Sequence, residues 1–248
     1  MGCSGMVGEM NASRTARERV RAELIREIKE VARRQLGVDG AGGLSLRAVA
    51  RELGMVSSAI YRYFPSRDDL LTALIIEAFN SIGETVEQAD AACPRERHLD
   101  RWMAAARAVR TWSLAHPHEY ALIHGSPVPG YVAPQDTVVP AARDGIVFAR
   151  ILQDAHEAGR LAPPPPWTPA VPPSFLADAE RLRATVFTDL PDDLILLAVM
   201  AWTALYGAVS FELFGMYNNV IDDGGPTFDH LALTQARLLG LDPDASAS

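Results

Sequence analysis

The sequence predicts an all-α fold: an N-terminal three-helix head carrying a helix-turn-helix, followed by a larger C-terminal helical body. Three observations predict it. Residues 44–64, LSLRAVARELGMVSSAIYRYF, read as two short helices joined by a tight glycine turn. Apolar residues recur at helical spacing in one segment after another through the rest of the chain. Finally, 48% of the 248 residues are hydrophobic, enough to fill a sizeable core in one large or two small domains.

Residues 1–13 are expected to form a disordered leader; the first twenty residues have no long apolar core, so no secretory signal is expected. The head is expected over 14–66. Its first helix spans Thr15 to Leu36, with Val20, Leu24, Ile28, Val31 and Ala32 as the inward stripe. Arg14, Arg17, Arg19 and Arg21 crowd its start. Arg19 and Arg21, beside Glu18, Glu23 and Glu27, read equally as a solvated charged face, whereas Arg14 precedes the helix and could reach a phosphate or a minor groove as basic arms do.

The turn Gly37 to Gly43 leads into the paired helices. Ser45 caps the first, whose apolar positions are Leu46, Val49, Ala50 and Leu53. Gly54 stops it with a left-handed backbone, and Ser57 or Ser58 caps the second, which closes at Phe64 before Pro65. Counting from Leu46, a small residue falls at place five (Ala50), a glycine at place nine (Gly54) and a branched aliphatic at place fifteen (Ile60), as two steeply crossed helices require. An ordinary helical hairpin is the competing reading. Ser57, Ser58, Tyr61 and Arg62 weigh against it, because they leave the exposed face polar and free of carboxylates, suited to an acceptor-rich major groove.

The body is expected over 67–248. Ser66 caps a long helix with Asp68 and Asp69 in its first turn, where acids suit the helix dipole, and this helix runs towards Ala92. Helices follow from Glu96 to Ala115, Pro117 to His124 and Ala141 to Ala158, with an irregular segment between Ser126 and Pro134. Residues 160–174 contain seven prolines and must form an extended connector. Helices from Phe175 to Val186, Asp192 to Phe214 and Phe228 to Gly240 complete the chain. The second of these nears membrane-span length. Thr203, Tyr206, Ser210 and Glu212 interrupt it, so it is expected to be buried in a core or subunit interface, with no membrane partner.

Charge divides the chain unevenly: residues 1–67 carry a net +5 and the remainder −13. A basic end on an acidic body suits a protein that presents that end to a polyanion. The two cysteines, Cys3 and Cys93, offer no structural disulfide, which favours a reducing cytoplasm.

The stretch GGLSLRAVARELGMVSSAIYRYFPSRDDLLTAL, with its aromatic run Tyr61-Arg62-Tyr63-Phe64 and Arg67 after the proline, closely resembles the DNA-binding head of the TetR family of bacterial transcriptional regulators. The likeness covers about Arg17 to Phe79. A second stretch, WTALYGAVSFELFG from Trp202 to Gly215, resembles the C-terminal region of the subgroup named for a Trp-His-Gly signature, with Tyr206 in the histidine place. The resemblance implies a ligand-responsive regulator, a repressor released from DNA by a small-molecule effector. It implies a homodimer formed through the helices Asp192 to Phe214 and Phe228 to Gly240. Two heads related by a two-fold axis then engage a palindromic double-stranded operator, with half-sites roughly 34–36 Å apart. Position by position, it implies Arg47 at a guanine edge, Ser57, Ser58, Ala59 and Arg62 near bases or adjacent backbone, and Ser45, Tyr61, Tyr63 and Arg67 on phosphates.

An effector site is implied in the body, where Trp102, Trp112, His116, Tyr120, His124, Tyr131, Phe148, Trp202 and Tyr206 supply rings, hydroxyls and imidazoles. Taken singly, each also reads as core. His116, His118 and His124 lie near Glu119 but lack a cysteine or a tight His-Glu-x-x-His spacing, so no metal is expected. Neither a nucleophile elbow nor a phosphate loop is present, so neither an enzyme nor a cofactor is expected. Two rival readings are a small-molecule-binding protein with a vestigial head and an enzyme of unknown type.

Overall fold

The computed structural model describes residues 5–241, with side chains from Ala16 onward. Among the described residues the regular structure is entirely helical: α1 Gly5–Gly43, α2 Leu46–Glu52, α3 Ser57–Ile60, α4 Arg67–Ala91, α5 His98–Ala115, α6 Pro117–His124, α7 Val138–Ala141, α8 Arg143–Glu157, α9 Leu176–Thr185, α10 Asp192–Leu213 and α11 Gly224–Leu238, with single 3-10 turns at Gln135–Thr137 and Pro173–Phe175. The chain forms two compact units. One contains the residues up to Glu77 together with His118–Gln135; the other contains Ala78–Pro117 and the residues from Asp136 onward. The first unit thus holds the residues expected for the head together with the first turns of α4 and a later segment that includes α6.

In the first unit, α1 runs to a kink at Gly40, whose φ of 66° and ψ of 177° leave the helical region. Residues 5–13 of the expected leader continue α1, and residues 1–4 lie outside the described part. The inward stripe begins later than expected, because Val20 is exposed; Ile28, Val31, Ala32 and Leu36 are buried, together with Leu46, Val49, Ala50, Ile60, Leu70 and Leu71. Each such Leu or Ile contributes about 1.5–3 kcal/mol by leaving water. Ser66 starts α4 as expected: its Oγ accepts from the Asp69 N–H at 3.1 Å and donates to the Asp69 carboxylate at 2.7 Å. Thr72 and Tyr131 share a hydroxyl hydrogen bond of 2.9 Å, which ties the later segment to α4.

In the second unit, α5 packs on α8 and α11, and α10 packs on α11, α9 and α5. The core is built from apolar residues at helical spacing, such as Trp102, Ala105, Ala106 and Val109 of α5 and Val147, Ile151, Leu152 and Ala155 of α8. The helix expected from Ala141 to Ala158 divides, with α7 ending at Ala141 and α8 beginning at Arg143. The last helix starts earlier than expected. Asp223 caps it by accepting from the Gly225 N–H at 2.9 Å, and Pro226 in the first turn has no N–H to lose.

The proline-rich connector is not extended throughout: it turns at Pro166–Trp167, where the Thr168 N–H donates to the Pro165 carbonyl at 2.9 Å, and it is fastened near its start, where the Ala162 N–H donates to the Gly240 carbonyl at 3.0 Å. Gly240 has φ +82°, and a Cβ there would stand 2.3 Å from the Ala162 carbonyl oxygen, so glycine is required. By length and composition α10 could cross a membrane. It instead buries Leu194, Ile195, Ala198, Ala201, Leu205 and Val209, and it packs on three helices of its own unit, as a core helix does.

Candidate nucleic-acid interface

The helix-turn-helix is built by local chemistry. Ser45 is extended (φ −136°, ψ 116°) and its side chain accepts from the Ala48 N–H at 3.4 Å, capping α2. At the other end, the Gly54 N–H reaches the Arg51 carbonyl at 3.1 Å and the Met55 N–H reaches the Ala50 carbonyl at 2.8 Å. This paired ending needs a left-handed residue, which Gly54 supplies at φ +66°. The expected cap of the second helix moves by one residue. Val56 precedes α3 in an extended conformation with no side-chain cap, so Ser57 and Ser58 are the first two helical residues, and both are exposed. After Ile60 the chain continues in hydrogen-bonded turns: the Tyr63 and Phe64 N–H groups both reach the Ile60 carbonyl, at 2.9 and 3.0 Å.

Side-chain placement separates the expected DNA contacts. Arg47, Ser57, Ser58, Tyr61 and Arg62 are exposed, and none of them is a carboxylate. The Glu52 carboxylate at the end of α2 accepts from Arg34 at 2.7 Å, which offsets its charge. Ala59 differs from these in being buried with Ile60 on α3. Arg67 has partners within the head. Its guanidinium donates to the carbonyls of Leu44 (3.1 Å), Ala41 (2.7 Å) and Gly42 (3.3 Å), so it closes the end of α1 and the entry to α2. Tyr63 is half-buried, with the Arg21 guanidinium 5.1 Å from its ring centroid; Arg21 also donates to the Arg62 carbonyl at 3.4 Å. No spacing within the head's sequence signals this brace, since Arg21 and Arg62 lie 41 positions apart. Arg14 lies among the residues whose side chains are not described.

The nine candidate effector residues fall in different units. Tyr120, His124 and Tyr131 belong to the first; Trp102, Trp112, His116, Phe148, Trp202 and Tyr206 belong to the second. Trp102 is 1% exposed, donates its indole N–H to the Ala232 carbonyl at 3.0 Å, and meets Phe148 edge-on at 5.0 Å between centroids. The Trp112 indole donates to the Ser81 hydroxyl at 2.9 Å and stacks on His116 at 4.9 Å. Trp202 is 44% exposed and lies 5.5 Å from Tyr206, whose hydroxyl donates to Asp144. Burial pushes the Asp144 carboxyl above the usual carboxylate range, against the opposing effect of that phenol and of the Gly145 N–H. Among the described residues, no group of three His, Cys, Asp or Glu could hold a metal.

His124 packs beside Tyr120 at 4.9 Å, and burial pushes its imidazole down to about 4 from the ordinary 6.5. The charged form is therefore favoured only after unfolding. The stability this contributes is present above about pH 6.5 and is lost as the pH falls through about 4. At pH 5 the unfolded chain binds nearly one extra proton at this site. His124→Gln is thus expected to flatten the dependence of unfolding free energy on pH by roughly 1.4 kcal/mol per pH unit there. Urea titrations at pH 4.5, 5 and 5.5 measure it, and equal slopes in the two proteins would remove His124 as the source.

Comparison with known proteins matches both ends of the chain to one family. Residues 28–74 match the family model described as bacterial regulatory proteins, tetR family, and residues 102–234 match the tetracyclin repressor-like C-terminal domain. The HTH-type transcriptional regulator Rv1816 of Mycobacterium tuberculosis is 39% identical over 234 residues, covering 91% of this chain and 93% of its own. Regulator Mb1846 of Mycobacterium bovis matches to the same extent. Among solved structures, the regulatory protein SCO4313 superposes with a TM-score of 0.72 at 32% identity, covering 88% of this chain and 97% of its own. A TetR-family regulator from Rhodococcus, at 18% identity and a TM-score of 0.57, shares the fold. These matches support the family and leave the Trp-His-Gly likeness at Trp202 to Gly215 as a resemblance alone. With a capped helix-turn-helix in its first unit and matches that span nearly all of its length, the chain belongs to the TetR family of helix-turn-helix transcriptional regulators.

Proposed function

We propose that this regulator works as a homodimeric repressor in the cytoplasm, bound to a palindromic operator and released by a small-molecule effector. The observation that carries the reading is the outward face made by Arg47, Ser57, Ser58, Tyr61 and Arg62, polar and without a carboxylate, on a helix pair fixed at both ends of α2. Such a face suits the acceptor-rich edges of a major groove. The exposed apolar residues Met200, Trp202, Phe211 and Phe214 along and just beyond α10 support the use of that helix in a dimer. An effector regulates only by binding one conformation better than another, so it must favour a dimer whose heads no longer match both half-sites. The family points to regulation rather than catalysis.

Fluorescence anisotropy with DNA fragments tiled from upstream of the protein's own gene tests this reading. Saturable binding to one palindromic fragment above the nonspecific background is expected. Equal weak binding on every fragment from that region, followed by a genome-wide selection that enriches no sequence, would overturn it. On the selected site, Arg47→Ala should weaken binding by about 1–3 kcal/mol while the dimer persists in sedimentation. Unchanged affinity would remove Arg47 from the base contacts.

A further inference from the structure

Outside the helix-turn-helix, the first unit has a second feature suited to nucleic acid. Arg17 and Arg21 stand one helical turn apart on α1, and with Ala16, Val20 and Tyr63 they line an open groove of about 360 Å³. Two guanidiniums at this spacing repel each other, and neither forms an ion pair with a carboxylate among the described residues. An anion between them would relieve that repulsion. The groove is not purely cationic: Val20 is 69% exposed beside the two arginines and Ala16 adjoins it, giving an apolar strip next to the charge. A phosphodiester with its sugar matches both parts, the phosphate on the guanidiniums and the deoxyribose on the strip. The groove also joins the DNA-reading face, because Arg21 lies over the Tyr63 ring and donates to the carbonyl of Arg62.

We propose that Arg17, Arg21 and Tyr63 form a seat for one DNA backbone phosphate lying outside the stretch read by α2 and α3, and that Arg21 also orients Arg62 through its backbone. The proposal rests on the regulator reading given above. It adds a contact from α1 that extends the footprint beyond the bases facing α3. Guanidiniums suit this role because a planar fork can bind a phosphate through two parallel hydrogen bonds.

The salt dependence of DNA binding tests it. Each phosphate neutralised adds about 0.9 to the slope of log affinity against log salt. The double variant Arg17→Ala/Arg21→Ala, at two exposed positions, is expected to lower the slope by about one unit, on the selected operator and on a nonspecific duplex alike, with each single variant giving part of that loss. Arg21→Lys should keep most of the slope. Arg19→Ala removes the same charge from α1 outside the groove and should change the slope by less than half as much. A slope for the double variant that matches the Arg19→Ala slope would overturn the seat while leaving the regulator reading intact. Absence of salt-sensitive binding by the unaltered protein would overturn both.

Discussion

Replacing Trp102 by alanine is expected to destabilise the protein by about 3–5 kcal/mol, the range for deleting a large buried aromatic side chain. Its side chain is 1% exposed and fills the space between α5, α8 and α11. Its removal loses the transfer free energy of the ring and leaves a cavity that the helices close only in part. The edge-on contact with Phe148 adds about 0.5–1.5 kcal/mol beyond burial, and the indole hydrogen bond to the Ala232 carbonyl is also lost. Trp102→Phe keeps a ring and should cost less than half as much. Urea unfolding at matched protein concentration measures both. A loss under about 1 kcal/mol for the alanine variant would mean that Trp102 is not a core anchor.

Arg101→Met is expected to cost a similar amount for a different reason. Arg101 is 2% exposed and grips the Asp90 carboxylate through two nitrogens, at 2.6 and 3.2 Å, joining α5 to the C-terminal end of α4. A third nitrogen reaches Asp154 of α8 at 2.7 Å and the Arg95 carbonyl at 3.0 Å. Burial works against the charged guanidinium, but the hydrogen bonds to both aspartates outweigh it and hold its pKa above the ordinary value. Methionine fills much of the volume and leaves Asp90 buried without its cation, a loss of about 3–5 kcal/mol for a broken buried pair. Asp154 suffers less, because Arg95 still donates to it at 2.6 Å. Adding Asp90→Leu to Arg101→Met should recover part of the loss, because it removes the stranded charge. No recovery in the double variant would place the cost elsewhere.

The head was legible because its signals are local. Ser45, Gly54 and the small and branched residues at Ala50 and Ile60 act within a few positions of one another, and the structure uses each of them there. The partners of Arg67 were not legible. Its carbonyl acceptors lie 23 to 26 positions back along the chain, and nothing in linear spacing distinguishes a cation that closes a turn from one that grips a phosphate. The burial of Ala59 was not legible either, because α3 is short and with so few turns the sequence does not show which residues face inward. In the body, the helix starts at Pro117 and Asp192 were read correctly, whereas Gly224, Gly225 and Pro226 read as loop until Asp223 is seen to cap them. The candidate effector residues formed one list in the sequence; contacts divide them because the chain returns to the first unit at His118.

That return has a consequence for engineering chimeric regulators. A head cut out as a single N-terminal piece ending at Glu77 would leave Thr72 without the Tyr131 hydroxyl and Gly37 without the His118 ring, which approaches to 3.1 Å of where a Cβ would stand. Grafting a new DNA specificity onto this body is therefore better done by exchanging the outward residues of α2 and α3 in place. An exchange of whole heads must carry two separate stretches of chain, and the second of these, His118–Gln135, is spliced between two parts of the body.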